Sequence, residues 1–276
     1  MFRIESKNVA IRWGIFLAAL SISTVAALGQ GPGGAAQPQS TKGAVIKGKA
    51  PVSKDILKVK FPTPVEVKLN NGLKVYILEN HSLPLFAAQM VIMTGGLMDS
   101  PDQVGAAQYT AQLLTEGTAK RSSKEIAEQI EGLGASLSAN SGISSATSTI
   151  SASGLTQNLD KIFELYSDVV LNPVFPAEEF GKLKSRALAS LRANRAQPSF
   201  LAREKYSQLM YGSHPAGRVA VSAKDWEKLS PEVLKSFHKS QYVPNNAILA
   251  ISGDVDPKKI VQTIEKYFGS WRTANT

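Results

Sequence analysis

Residues 65–69 alternate apolar and polar side chains, and after only Asn70-Asn71-Gly72 the chain enters a second short apolar-rich run, 73–78. Alternation over so few residues specifies a half-buried strand. Asn and Gly tolerate positive φ, so the three residues between the runs form a turn that lays the second strand back on the first. A chain that begins this way is committed to an antiparallel sheet. Residues 85–93 predict a third, more continuously apolar strand that ends at Gly95-Gly96. The Ser-, Thr- and Ala-rich runs 136–140 and 145–153 predict another antiparallel pair around Gly142, and 247–252 a last strand before Gly253-Asp254.

Helical periodicity fills the intervals. One helix is predicted over 104–114. Another opens at Ser122, three residues before Glu125, which is the spacing of a capping box. It places Ile126, Ile130 and Leu133 on one face and stops at Gly134. Residues 155–171 carry Leu159, Ile162, Phe163, Tyr166 and Val170 on one face and end at Asn172-Pro173, where the residue before proline is pushed out of the helical region. Further helices are predicted over 177–194, 201–210, 231–240 and 257–268, with Ser230 capping and Pro231 opening the third of these. The strands come in antiparallel pairs rather than as βαβ units, and no fixed-period repeat appears. The prediction is an α+β domain, a mostly antiparallel sheet with helices packed on it.

The first 36 of the 276 residues have the pattern of a signal peptide. Arg3, Lys7 and Arg12 form a positive region, residues 13–28 are apolar, and Ala27-Leu28-Gly29 offers small residues for cleavage. The apolar run includes Ser21, Ser23 and Thr24 and falls short of the roughly 20 residues that span a bilayer. The expectation is a periplasmic or secreted protein with no stable membrane insertion after cleavage. There is no cysteine, which excludes disulfides and a lipid-anchored cysteine. Residues 37–62, rich in Gly, Pro, Ser, Gln and Lys, are expected to be a flexible linker, and the folded domain to occupy 63–276. Net charge is +9. The basic residues Lys182, Lys184, Arg186, Arg192, Arg195 and Arg203 lie among alanines in a helical region without interleaved aromatics, which argues against nucleic-acid binding.

The stretch Gly105-Ala106-Ala107-Gln108-Tyr109-Thr110-Ala111-Gln112-Leu113-Leu114-Thr115-Glu116-Gly117-Thr118 resembles the inverted zinc-binding helix of the insulinase/pitrilysin zinc peptidases, the group that includes the mitochondrial processing peptidase. The family run is G-x-A-H-x-x-E-H-x-x-x-x-G-T. Other landmarks follow in the family's order: Leu69-Asn70-Asn71-Gly72-Leu73-Lys74-Val75, Gly132-Leu133-Gly134-Ala135, Asn172-Pro173-Val174-Phe175, Ser213-His214-Pro215, and Tyr242-Val243-Pro244-Asn245-Asn246-Ala247 before Gly253-Asp254-Val255.

The resemblance implies that Gln108 and Gln112 stand where the family has its zinc histidines, and Ala111 where it has the catalytic glutamate. The segment matching the family's third ligand is Leu188-Ala189-Ser190-Leu191, so Ala189 and Ser190 stand at that position, and no carboxylate occurs between Glu179 and Glu204. No cofactor, no metal and no catalytic residue are therefore expected in this chain. With no metal to hold, Ala107, Ala111 and Leu114 are expected to pack the first helix into the domain.

The other chemistry-bearing residues offer no substitute. His81, His214 and His238 are scattered and none has an i+4 ligand, so each is expected to be exposed or hydrogen-bonded within the fold. No G-x-S-x-G elbow and no phosphate-binding glycine loop is present. The family's subunits usually carry two such domain units, and the sequence here matches one.

The resemblance implies an exported non-catalytic subunit of a two-subunit zinc metallopeptidase. It would help to confine and orient peptide substrates beside a related catalytic subunit with an intact HxxEH. The alternative is a stand-alone peptide-binding or scaffold protein that takes up extended peptides at its sheet edge. A single unit is further expected to leave an uncovered apolar sheet face as an interface.

Overall fold

The computed structural model describes residues 62–274. The predicted signal peptide, and the linker except for its last residue, lie outside the described residues. Among the described residues no helix is long and apolar enough to cross a membrane.

Six strands form one sheet: β1 (Val65–Lys68), β2 (Lys74–Glu79), β3 (Leu85–Ile92), β4 (Ser136–Ser141), β5 (Ser148–Leu155) and β6 (Ala247–Gly253), in the order β1-β2-β6-β3-β5-β4. Every pairing is antiparallel except β2 with β6. The predicted hairpin is present. Gly72 takes φ +90°, the amide of Leu69 donates to Leu73 O at 2.9 Å, and Asn71 bonds on both sides, its Nδ2 reaching Trp271 O at 3.3 Å among others. Its Oδ1 accepts from the Leu73 amide at 3.2 Å, and its Nδ2 donates to Phe268 O at 2.7 Å. The turn is thereby tied to the last helix.

The described residues also form eight helices: α1 (Ala106–Leu113), α2 (Ser123–Gly132), α3 (Leu159–Leu171), α4 (Ala177–Arg195), α5 (Pro198–Tyr211), α6 (Ala223–Lys228), α7 (Pro231–Gln241) and α8 (Pro257–Phe268). Ser122 and Glu125 form the predicted capping box of α2, and Ser230 accepts from the Val233 amide at the start of α7. Several boundaries differ from expectation: the strand predicted over 145–153 is Ser148–Leu155, and the helix predicted over 201–210 is Pro198–Tyr211. The helix predicted from residue 155 begins at Leu159, because Leu155 completes β5 against Leu85 and residues 156–158 form a single tight turn. The helix α6 was not predicted. Its signal is Ser222 three residues before Asp225, a second capping box that the structure forms.

Alternate residues of the central strands point into one core. Val75 and Ile77 of β2, Phe86, Ala88, Met90 and Ile92 of β3, Ile150 of β5 and Leu249 and Ile251 of β6 are all buried. On them lie Ile162, Phe163 and Tyr166 of α3 and Ile260, Ile264 and Phe268 of α8, also buried. The 3.6-residue period of each helix meets the two-residue period of each strand, and burial of this apolar area is the main stabilising term. Tyr166 buries its ring and donates its hydroxyl to Ile150 O at 2.8 Å, so the polar atom is satisfied.

The opposite face corrects the expectation of an apolar surface. Reading across the register, it carries Tyr76, Ala250, Gln89, Ser151 and Ser138 in one row and Leu78, Ser252, Ala87, Ser153 and Ser136 in the next. Small and hydroxyl-bearing side chains dominate it. Exposed apolar residues concentrate instead on α5, where Leu201, Tyr206, Leu209, Met210 and Tyr211 are 47% to 73% exposed.

Candidate functional site

The helix α1 starts at Gly105, whose φ of +95° few side chains tolerate and where a Cβ would lie 2.7 Å from Val221 Cγ2. The buried carboxylate of Asp99 caps it. One oxygen accepts from the Gly105 amide at 2.7 Å and the other from the Ala107 amide at 3.1 Å. Burial pushes the Asp99 carboxyl up to about 6, against the pull of these amides and of nearby Arg218. Ala107, Ala111 and Leu114 are fully buried, as expected for a helix held by packing.

On this helix Gln108 and Gln112, one turn apart, keep part of their surface exposed. Both line a cavity of about 420 Å³. The opposite wall is α4, which contributes Arg186, Ser190 and Asn194 at i, i+4 and i+8. Phe200 and Arg203 of α5 close one side. Three helix faces therefore meet at the two glutamines. Tyr109 also lines the cavity, and its ring lies 4.1 Å, centroid to centroid, from that of buried Trp226, which in turn stands 5.9 Å from Phe180.

The structure sorts the residues singled out in the sequence. Gln108, Gln112 and Ser190 come together. Ala111 faces the core and Ala189 is exposed on α4, and neither lines the cavity. In the sequence Arg186 and Arg203 stand only among scattered basic residues. The spacing of Arg186, Ser190 and Asn194 on one helical stripe is the signal that would have placed Arg186 here.

This donor set does not fit a catalytic zinc. Zn²⁺ takes thiolate, imidazole or carboxylate ligands, whereas these walls present amides, a hydroxyl and two guanidinium groups. Among the described residues no group of three or more His, Cys, Asp or Glu side chains is placed to share a metal ion. The three histidines are each bonded within the fold, away from the cavity. His81 bridges Asp254 and Glu79 at 2.6 Å each, and these bonds, Asp254 first, raise its pKa. His214 Nδ1 accepts from the Ala216 amide at 3.1 Å. His238 lies 2.8 Å through Nε2 from Val170 O, and burial lowers its pKa to about 4, so the ring is neutral at pH 7 and donates that bond.

Comparison with known proteins places this geometry in a family. The family profile for insulinase, peptidase family M16, matches residues 74–223, and that for the peptidase M16 inactive domain matches residues 228–275. A protein of Rickettsia felis named as an uncharacterized zinc protease is 27% identical over 204 residues, covering 74% of this chain and 49% of that protein. A probable mitochondrial-processing peptidase subunit beta of Arabidopsis thaliana is 22% identical over 201 residues, covering 72% of this chain and 38% of that one. The crystal structure of a peptidase M16 inactive domain from Pseudomonas fluorescens shares the fold with a TM-score of 0.72 at 24% identity, covering 78% of this chain and 53% of that one. The chain thus spans about half the length, or less, of these relatives. With a family match over more than half of its residues, the chain belongs to the insulinase family, peptidase family M16.

Proposed function

We propose that this chain is a non-catalytic member of the family and works as a subunit beside a related chain with an intact HxxEH. One observation carries the reading: Gln108, Gln112 and Ser190 converge on a single cavity whose wall holds no histidine and no carboxylate. A glutamine oxygen is neutral and a weak partner for Zn²⁺, and Arg186 and Arg203 in the same wall oppose a divalent cation. Ala111 cannot take a proton from water, so the general base that metal-assisted hydrolysis needs is missing as well. The contribution of such a subunit is to confine and orient an extended peptide for its partner's chemistry. The exposed apolar residues of α5 offer a surface for that partner. Export to the periplasm or the exterior, after removal of residues 1–36, follows from the N-terminal sequence pattern.

The test is cleavage of a long unstructured peptide by a related chain with intact HxxEH, measured with and without this chain, alongside size-exclusion chromatography of the mixture. Alone, this chain should cleave nothing. With the partner, the two should co-elute and turnover should rise. Separate elution with an unchanged rate would refute the subunit reading.

A second reading is favoured by β4. It pairs only with β5, so among the described residues no strand pairs with its outer edge. An extended peptide could add there by main-chain hydrogen bonds, as in a stand-alone peptide-binding protein.

A further inference from the structure

The cavity at Gln108 and Gln112 has more hydrogen-bond donors than the protein uses. The carboxylates along α4 and α5 are already engaged: Lys182 pairs with Glu178 and Glu179, and Arg195 with Glu204. Arg186 and Arg203 have no ion pair among the described residues, yet both line the cavity. The Arg203 guanidinium carbon sits 5.4 Å from the Phe200 ring centroid, over its face. Stacking of this kind holds a guanidinium in place and leaves its N–H edge free. The side-chain amides of Gln108 and Gln112 likewise have no protein partner among the described residues, and Ser190, whose Oγ accepts from Asn194 Nδ2 at 3.5 Å, keeps its own hydroxyl proton as a further donor. Below these groups the wall is apolar, with Tyr109, Leu183 and Leu191 buried.

Two guanidinium groups and several neutral donors over an apolar floor match an anion attached to a short aliphatic stem. Planar guanidinium groups pair bidentately with carboxylates. The volume of about 420 Å³ is enough for a terminal residue or one acidic side chain. We propose that this cavity binds a peptide carboxylate, either a free C-terminus or an Asp or Glu side chain. The place where family resemblance sets a cation would then serve an anion. The inference rests on the reading that peptides reach this face, and it needs no partner chain.

Calorimetric titration of the chain with four N-acetylated peptides tests it. All share one unstructured Gly-, Ala- and Ser-based sequence. Their C-termini are free or amidated, and each form is made with or without a single internal Glu. A peptide with a carboxylate should bind about tenfold or more tightly than the amidated neutral one, as charge-assisted hydrogen bonds imply. Whether the free-acid or the amidated Glu peptide gains the affinity identifies the source. The double variant Arg186→Gln, Arg203→Gln should bind all four at the level of the neutral peptide. Both side chains are exposed, so its melting temperature should not change. Equal binding of all four, no saturable binding of any, or a preference that survives the double variant would overturn the proposal. Partner stimulation that persists in those cases leaves the subunit reading standing. Carboxylate preference without stimulation removes that reading and keeps this one.

Discussion

Replacing Trp226 with alanine should lower the unfolding free energy by about 3–5 kcal/mol. Its side chain is 1% exposed and is the largest of the fully buried ones. It fills the space between Tyr109 and Phe180, so its removal deletes two aromatic contacts and leaves a void that α1, α4 and α6 cannot close without moving. For a folded region of this size the loss corresponds to a fall in melting temperature of roughly 6–20 °C. Thermal denaturation followed by circular dichroism reads it directly. Because Tyr109 lines the cavity, the change should also weaken any carboxylate preference at a temperature where the variant is still folded. A melting temperature within a degree or so of the parent would show that α6 does not brace the site.

Asp168→Ala should be comparably severe, at about 3–5 kcal/mol. Asp168 lies on α3 and is 4% exposed. Its carboxylate accepts from Thr118 Oγ1 at 2.7 Å, from Arg121 Nη1 at 2.7 Å and from Asn172 Nδ2 at 3.0 Å. Thr118 Oγ1 accepts in turn from the amides of Lys120 and Arg121. One carboxylate thus holds residues 118–121 onto α3, and alanine would leave the buried Thr118 hydroxyl without its acceptor and the largely buried Arg121 with only Glu164 and Gln129 as partners. Asp168→Asn keeps an acceptor for Thr118 and should cost less, about 1–3 kcal/mol. Urea denaturation of both variants gives the order, and an alanine variant no less stable than the asparagine one would contradict this account of the network.

That network also explains part of what the sequence made legible. Gly117 and Thr118 were assigned by resemblance to the end of a zinc-binding helix, yet Thr118 serves here to organise a turn. Such residues can accompany the fold whether or not a metal is bound. The hairpin, the capping box at Ser122 and the cap at Ser230 were readable because each is a local bond between residues two to four apart. The insertion of β6 between β2 and β3 was not, because those pairings join residues 155 to 174 apart and no local pattern records them. The short helix α6 was overlooked although Ser222 and Asp225 signal it. In the site, Gln108 and Gln112 were legible through the resemblance of their segment to the family's zinc-binding helix. Arg186 was overlooked although it lies one helical turn before Ser190, and Arg203 was not legible, since only the packing of α5 brings its charge to the same cavity. The expectation of an apolar sheet face failed for a related reason. The two rows across β2, β6, β3, β5 and β4 appear only once the register is known, and they are mostly Ser and Ala.

The account stands on the claim that the cavity of Gln108, Gln112 and Ser190 holds no catalytic zinc. Metal analysis of the purified chain, after incubation with zinc and exhaustive dialysis, tests this most directly. The predicted result is no stoichiometric zinc, in the parent and in the Gln112→Ala variant alike. One tightly held zinc ion per chain that is lost in Gln112→Ala would contradict it.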